Sequence, residues 1–511
     1  MVSALHSPAD DTKPRLVLLG HRVAAAGFVL YAAFAPHSIA GAEIALAIVG
    51  GGWLVRTITT GKTGFRHSKL DLPIWLFFAW TIASSFLSEE PQISIAKLQS
   101  VCVLFLFYLT QAIVSRSSAV LLVCVMILSG IAGSIYSIYD LLRGRGLVVE
   151  TISSESPLRM SIAPGDAVWR VKGRRIYSID EIEKAIKTTP SGTNLRVSVI
   201  TRGEHVERTS LVVTDQMKQL DAPSGITGRN PTHRFRASGW TRHYETFSEI
   251  LQILAQLALG LGLSNLKNHG PNLRFKLATA ASALLALGIA LTAMRTVLVA
   301  FTLGACVLTI RAARGKARLL IPAALLVVLA LGAVIVWQTR AEQALWLQDD
   351  SASLRLTVAQ IGVSRIVLHP VFGHGMDAMH LHWNEWGFPG KDMLGMHSTP
   401  LQLAFDRGLP ALALWLWIIA VFWLLTTRAE RVFRDSSDAN RHGLLLGATG
   451  ALTGFFASSL VNYNFGDGEV ALVFWWLMGI VVVLARDSGS DYISKVFASA
   501  GEPPVAKEKA D

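Results

Sequence analysis

Charge is scarce in this chain. Of its 511 residues only 16% are Asp, Glu, Lys or Arg, against roughly 25% in ordinary soluble proteins. That deficit excludes a disordered chain and argues against a soluble enzyme. Cysteine is scarcer still. Cys102, Cys124 and Cys306 each lie inside an apolar run, so neither a disulfide framework nor a thiolate metal site is expected, and the three read as small core residues. The start of the chain lacks an apolar leader: Asp10 and Asp11 stand beside Lys13 and Arg15, so no cleavable signal peptide is expected. No internal repeat is visible. What is abundant is hydrophobic: 51% of the residues are apolar, bunched in runs of about 15 to 25 residues, close to the length that crosses a bilayer. The expectation is a polytopic membrane protein with polar inserts.

About twelve runs qualify as spans on the 20-residue criterion: 17–35, 38–55, 72–87, 98–114, 119–142, 247–263, 275–293, 296–310, 319–337, 400–425, 443–461 and 469–485. The stretch 275–310 would reach about 54 Å as one helix, far beyond a core of about 30 Å. Arg295 lies in it, so a tight turn is expected at Met294-Arg295. Orientation follows from the short loops. Arg56, Lys62, Arg66 and Lys69 fill one; Lys267, Arg274 and Lys276 a second; Arg311, Arg314, Lys316 and Arg318 a third; Arg428, Arg431, Arg434 and Arg441 a fourth. With twelve spans these share a side, which the positive-inside rule makes cytoplasmic. Both termini are then cytoplasmic. The net charge of +11 is therefore topology and not a nucleic-acid footprint, and no nucleic-acid partner is expected.

Two long polar segments, about 143–246 and 338–399, fall on the other side. The first contains elements of a small domain. Val168 to Val171 alternate as a strand into a Lys172-Gly173 turn. Ser178 with Glu181 has capping-box spacing before a helix carrying Ile179, Ile182 and Ile186 on one face. Leu195 to Val199 alternate strictly, and Arg202-Gly203-Glu204 turns the chain into Leu211-Val212-Val213. The stretch Ile162 to Asp166, Val171-Lys172-Gly173, Ser178 to Ile186, Gly192 and Val197 to Gly203 resembles a PDZ domain of the bacterial periplasmic-protease type. That resemblance implies a module that can take a peptide by strand addition, although the beginning, Leu147 to Leu158, departs from the pattern. The plainer reading is a rigid spacer or docking platform.

Four outer places combine charge with unusual context. Arg236 to Tyr244, with Arg242 inside it, runs into the sixth expected span. Arg295 opens the eighth. Arg355 precedes Leu368-His369-Pro370-Val371-Phe372-Gly373-His374-Gly375. Last comes His397-Ser398-Thr399-Pro400-Leu401-Gln402, then Asp406-Arg407-Gly408-Leu409-Pro410. Each has a plain reading: arginines at span ends snorkel, His369 ends a helix, and Gly373 and Gly375 permit a tight backbone. His374, His380, His382 and His397 match no metal-ligand template, and no HExxH occurs. No metal and no cofactor are expected.

As an ordered set, these segments resemble the O-antigen ligase and polymerase superfamily of bacterial envelope glycosyltransferases. The pattern is an Arg opening a late span, an Arg before hP-x-x-G-x-G, an outer loop closing in H-[NS]-x-x-[LI]-Q, and D/E-x-G-[LI]-P. It falls on Arg295, Arg355, His369-Pro370, Gly373, Gly375, His397-Ser398, Gln402 and Asp406 to Pro410, over about residues 230–425. Ser398 stands where Asn is usual.

The resemblance implies an all-α, GT-C-like polytopic bundle in a bacterial inner membrane, with the α+β insert at 143–220 between helices one to five (1–142) and helices six to twelve (221–486), and a tail at 487–511. It implies a metal-independent glycosyltransferase that moves a polyprenyl-diphosphate-linked glycan onto a lipid, glycan or protein acceptor. Arginine's planar fork suits a diphosphate and the charge that grows on it as the C–O bond breaks. A histidine suits the acceptor's proton at neutral pH. His397 is then the base; Arg295, Arg355 and Arg236 or Arg242 hold the diphosphate; His369, Gly373, Gly375, Ser398, Gln402 and Asp406 shape the loops. Ligase, repeat-unit polymerase and protein transferase stay open. So do a flippase for the same lipid-linked sugars and a non-catalytic scaffold of a polysaccharide assembly complex. A flippase would carry intramembrane charge, and the main such residues in the sequence are His21 and Arg22 in the first span. A protease carrying a PDZ module fails for want of HExxH. The insert adds an expected protein partner.

Overall fold

The computed structural model describes residues 8–144, 146–153, 156, 158–159, 162–201, 206–231, 236–241, 243–327, 330–331, 350–390 and 395–486. The chain divides into two compact units, one of Met1–Gly133, Trp240–Ala290 and Met294–Asp511, the other of Ser134–Gly239 with Leu291–Ala293.

The larger unit is helical. In chain order it contains α1 (Pro8–Phe34), α2 (Ile39–Thr60), α3 (Asp71–Leu87), α4 (Pro91–Ala96), a 3₁₀ segment (Leu98–Leu104) leading into α5 (Phe105–Ile113), and most of α6 (Arg116–Arg143). The smaller unit follows with β1 (Leu147–Ile152), β2 (Ala167–Val171), β3 (Arg174–Arg175), α7 (Ile179–Thr188), β4 (Asn194–Ile200), β5 (Val206–Val212), α8 (Asp215–Gln219) and β6 (Ile226–Pro231). The chain then returns to helix through α9 (Tyr244–His269), α10 (Leu273–Leu291), α11 (Arg295–Ala312) and α12 (Ala317–Val327). Last come α13 (Asp350–Leu368), α14 (Ala378–Leu381), α15 (Thr399–Phe433), α16 (Ala439–Ser459) and α17 (Gly468–Ala485).

Among the described residues eight helices are long and apolar enough to cross a membrane: Arg15–Phe34 of α1, and α2, α6, α9, α10, α11, α15 and α17. The other expected spans fall on shorter apolar helices, namely α3, Leu98–Ile113 and α12, and on α16; part of 319–337 lies outside the described residues. α9 and α17 are buried almost throughout, whereas α1, α2, α6 and α10 expose large apolar side chains such as Leu19, Ile44, Leu128 and Leu277. A row of exposed leucines and isoleucines is costly against water and ordinary against lipid. α9 crosses α16 closely, since a Cβ at Gly443 would meet the Leu261 Cα at 2.8 Å; small residues let membrane helices approach in this way.

Polar contacts differ between the two ends of the larger unit. At one end the basic loops gather. Lys267 Nζ donates to Asp435 at 2.9 Å, Arg311 pairs with the buried Glu430, and Arg441 Nε donates to the Leu484 carbonyl at 2.7 Å. At the other end lie the turns 35–38, 88–90 and 460–467, together with 369–390 and 395–398. The turn between α10 and α11 is tight, with Ala293 at φ +55 and Met294 capping α11.

In the smaller unit the strands order as β5-β4-β2-β1-β6, with β3 on β2. Ile179, Ile182 and Ile186 of α7 are buried in a core with Val168, Val171, Leu195, Val197 and Val199. One local expectation is corrected. Ser178 sits at the cap of α7 but makes no side-chain cap bond, and Glu181 accepts from the Tyr177 amide at 3.3 Å, because the carboxylate reaches one residue farther back. β2 has β1 on one side and β4 on the other, so its edges are occupied. The expected turn at Arg202-Gly203-Glu204 lies outside the described residues.

Candidate active site

The site is best built from α15. Its helix begins at Thr399, is broken at Gly408 (φ 81, ψ 170), and resumes through Pro410 to Phe433. Before it, His397 adopts φ +47 and Gly395 φ +147. Left-handed backbone is uncommon for histidine, and a strained residue persists only where its surroundings over-determine it. Gln402 supplies much of that constraint: its Oε1 accepts from the Met396 amide at 2.8 Å and its Nε2 donates to Asp406 Oδ1 at 2.8 Å. Gln402 and Asp406 are one helical turn apart, which puts both beneath the His397 turn. Ser398 caps α15 by backbone geometry without a side-chain cap bond.

His397 is mostly buried. Burial, reinforced by the nearby positive charges of Arg355 and His243, holds its imidazole down to about 4. It is therefore neutral near pH 7. Arg355, in α13, lies near enough to act on the ring by its charge, and its buried Nε has no hydrogen-bond partner among the described residues. Arg295 is the first residue of α11. Its neighbour Thr296 accepts from Asn462 Nδ2 at 3.2 Å, and the Asn462 carbonyl accepts from the Thr399 amide and hydroxyl at 3.2 Å each. The starts of α11 and α15 are thus linked through one loop.

His369, Gly373 and Gly375 lie on the loop that leaves α13. The His374 amide donates to the Phe405 carbonyl at 2.8 Å, the Gly375 amide to Asp406 at 3.0 Å, and the Leu409 amide to Pro370 at 2.8 Å. Two motifs separated in sequence are therefore stitched along their backbones at the break in α15. Arg236 belongs to the smaller unit, and Arg242 lies outside the described residues.

The structure adds residues that the motifs did not point to. Arg407 is 7% exposed, its Nε has no hydrogen-bond partner among the described residues and its Nη2 meets the Met376 sulfur at 3.1 Å. With Lys97, Asp377, Gln402, Asp406 and Tyr463 it lines a cavity of about 290 Å³ that also has Phe77, Phe465 and Trp475 in its wall. Lys97 and Asp377 form an ion pair in its wall. Arg407 was visible within the Asp406 to Pro410 motif, but nothing in the sequence marked Lys97 or Tyr463.

The expectation that intramembrane charge is confined chiefly to His21 and Arg22 is also corrected. Glu249 lies in α9 and is 1% exposed. It is tolerated there because Ser458 Oγ, Asn462 Nδ2 (3.0 Å) and Asn464 Nδ2 (3.4 Å) all donate to it. An apolar run with one carboxylate gives no sign of such partners.

A second cluster joins the turn after α3 to the loop after α13. His374 Nδ1 meets Glu89 Oε2, His369 Nε2 lies 3.7 Å from the same oxygen, and His374 Nε2 lies 3.0 Å from the Arg365 carbonyl. Burial pushes the Glu89 carboxyl up, but the hydrogen bond and charge of His374, with His369 and His382, outweigh it and hold Glu89 below the usual carboxylate range. His382 is raised by its hydrogen bond to Glu385 and a second to Glu90, against some burial.

Residues 280–416 match the O-Antigen ligase family. The matched stretch contains Arg295, Arg355, the His369–Gly375 loop, His397 and the break in α15, and it leaves out Arg236, Arg242, Glu89 and Glu249. A comparison with curated proteins finds no match. The similarity to O-antigen ligase, on a chain with eight helices suited to crossing a membrane among the described residues, supports a membrane protein that handles glycans.

Proposed function

We propose that this chain is a metal-independent glycosyltransferase that moves a glycan from a polyprenyl diphosphate onto an acceptor hydroxyl at the outer face of a bacterial inner membrane, with both termini cytoplasmic. The observation that supports it most is the His397 turn: a neutral, strained and mostly buried imidazole in the field of the Arg355 guanidinium, whose buried Nε has no partner among the described residues. His397 takes the proton of the acceptor hydroxyl as its oxygen attacks the anomeric carbon. The bond to the diphosphate breaks, and Arg355 and Arg295 receive the growing charge. The arrangement carries its own trigger. Arg355 helps depress His397, so an anionic donor bound to Arg355 offsets that field and makes the imidazole more basic when the base is required.

The cavity beside Arg407, with carboxylates, a phenol and aromatic walls, suits the hydroxyl-rich acceptor. The PDZ-like insert serves as the docking site for a protein of the envelope-assembly apparatus, since no residue that carries the family likeness lies within it. The test is reconstitution of the purified chain in vesicles with a lipid-linked glycan and, in parallel, a lipid A core, free repeat units or a protein as acceptor. A single transfer to the lipid core marks a ligase and chain elongation a polymerase. Donor binding with no transfer to any acceptor would overturn the proposal in favour of a flippase or scaffold.

A further inference from the structure

The geometry points to a divalent transition-metal site, of the zinc type, formed by Glu89, His369 and His374. Spacing along the sequence gave no reason to expect one, because the carboxylate comes from the turn after α3 and lies about 280 residues from the two histidines. Folding brings the three ligand atoms within 4.8 Å of one another. Two imidazoles and one carboxylate form an established zinc donor set that leaves a fourth position for water.

The hydrogen bonds of His374 carry the argument. Its Nε2 faces the Arg365 carbonyl at 3.0 Å, and a carbonyl only accepts, so Nε2 bears the hydrogen. In the neutral ring, Nδ1 then presents a lone pair directly to the Glu89 carboxylate, which is also an acceptor. Two lone pairs in contact need a cation between them, either a proton or a metal ion. A ring nitrogen fixed by N–H donation to a backbone carbonyl, with the other nitrogen turned to a carboxylate and a second imidazole, is the usual preparation of a metal-binding histidine.

His374 is also rigid. It is 1% exposed, stacks on Phe405 at 4.5 Å between ring centres, and lies 4.9 Å from Trp386. The Glu90 amide donates to its carbonyl at 3.0 Å, which fixes the Glu89 turn alongside. The side chains of His369 and Glu89 are 44% and 37% exposed, so an ion has a path in. Ligand atoms around a tetrahedral zinc stand about 3.3 Å apart, and His369 and Glu89 close that distance by side-chain rotation. The ion would clamp the turn after α3 to the loop after α13. The site is independent of the proposed transfer chemistry, which routes no step through it.

The test uses the full-length protein in detergent, stripped with a chelator and titrated with Co²⁺ and then Zn²⁺. One Co²⁺ per chain with the visible absorption of a tetrahedral nitrogen-oxygen site, displaced by Zn²⁺ and accompanied by proton release, is the expected result. Glu89→Gln and His369→Gln alter exposed side chains, and each should weaken binding by more than about 100-fold, above the range typical of outer-shell partners. Zn²⁺ should raise the melting temperature of the wild type and not of Glu89→Gln. Absence of stoichiometric binding would mean that a proton bridges Glu89 and His374, and binding that survives both substitutions would place the ion elsewhere. Either outcome overturns the inference and leaves the transfer assay unaffected.

Discussion

Replacing His397 with glutamine separates a base from a hydrogen-bonding spacer, and the structure supplies two magnitudes. Glutamine can occupy the turn and hydrogen-bond but cannot take a proton, so transfer should fall by about 10² to 10⁴-fold, the usual contribution of a positioned base. Donor affinity should stay nearly intact. The second magnitude is thermodynamic. His397 is held at about 4 in the folded chain against about 6.5 when unfolded, so the unfolded state binds the proton more readily. The stability that depends on a neutral His397 is complete above pH 6.5 and is lost as pH falls toward 4, up to about 3 kcal/mol. His37, which burial also holds to about 4, titrates with the same sign in both proteins, so the informative quantity is the difference between them. Thermal unfolding in detergent from pH 7 to pH 4 should be steeper for the wild type than for His397→Gln. Initial transfer rates with a lipid-linked donor provide the parallel readout. A glutamine variant with wild-type rate and wild-type pH dependence, in both rate and stability, would refute the reasoning.

Other consequences follow from the same geometry. Arg295→Lys keeps the charge at the start of α11 but loses the planar fork, so transfer should be severely reduced in the same assay while folding, followed by melting, is unchanged. Glu249→Leu removes the acceptor shared by Ser458, Asn462 and Asn464; the two amides keep Thr296 and the Phe455 carbonyl, but the buried Ser458 hydroxyl is left without its acceptor, which should cost about 1–3 kcal/mol in melting and denaturation measurements. It should also lower transfer, because Asn462 supports Thr399. Replacing residues 160–213 with a short linker should preserve transfer by the purified protein and abolish only its recruitment of partners; complete loss of transfer with normal folding would reject the docking role.

Part of this was legible in the sequence because it is local. Gln402 and Asp406 stand one turn apart behind His397, and their spacing alone puts them on one helical face. The strand and helix patterns at 168–171, 179–186 and 195–199 fall on β2, α7 and β4 because alternation and helical periodicity report burial directly. What was not legible comes from distant pairing. In the sequence Glu89 is merely one of two adjacent acids, Glu89 and Glu90, and only folding shows that it faces His374. Glu249 was one carboxylate in an apolar run, and its donors arrive from some 210 residues away. Arg236 and Arg242 were grouped with Arg295 by order along the chain, which says nothing of distance in space.

The pairing of the two glycine motifs has a physical cause. Breaking a helix frees carbonyl groups that would otherwise accept from the next turn, and in a water-poor environment each must find another donor. The break at Gly408 (φ 81) frees those of Phe405 and Asp406, and the amides of His374 and Gly375 take them up. That docking requires backbones in contact on both sides. A Cβ at Gly373 would collide with the Phe405–Arg407 backbone, and one at Gly408 with the Val371 carbonyl; Gly373 also adopts φ +72. Pro410 then restarts the helix at a position where a missing amide costs nothing. The P-x-x-G-x-G loop and the D-x-G-x-P segment are therefore two halves of one backbone joint, and each without the other would leave buried carbonyls unpaired. The joint fixes Asp406, Asp406 orients Gln402, and Gln402 holds the turn that carries His397. A pattern whose single elements are common becomes specific once it is read as a chain of hydrogen bonds that ends on the residue proposed to move the proton.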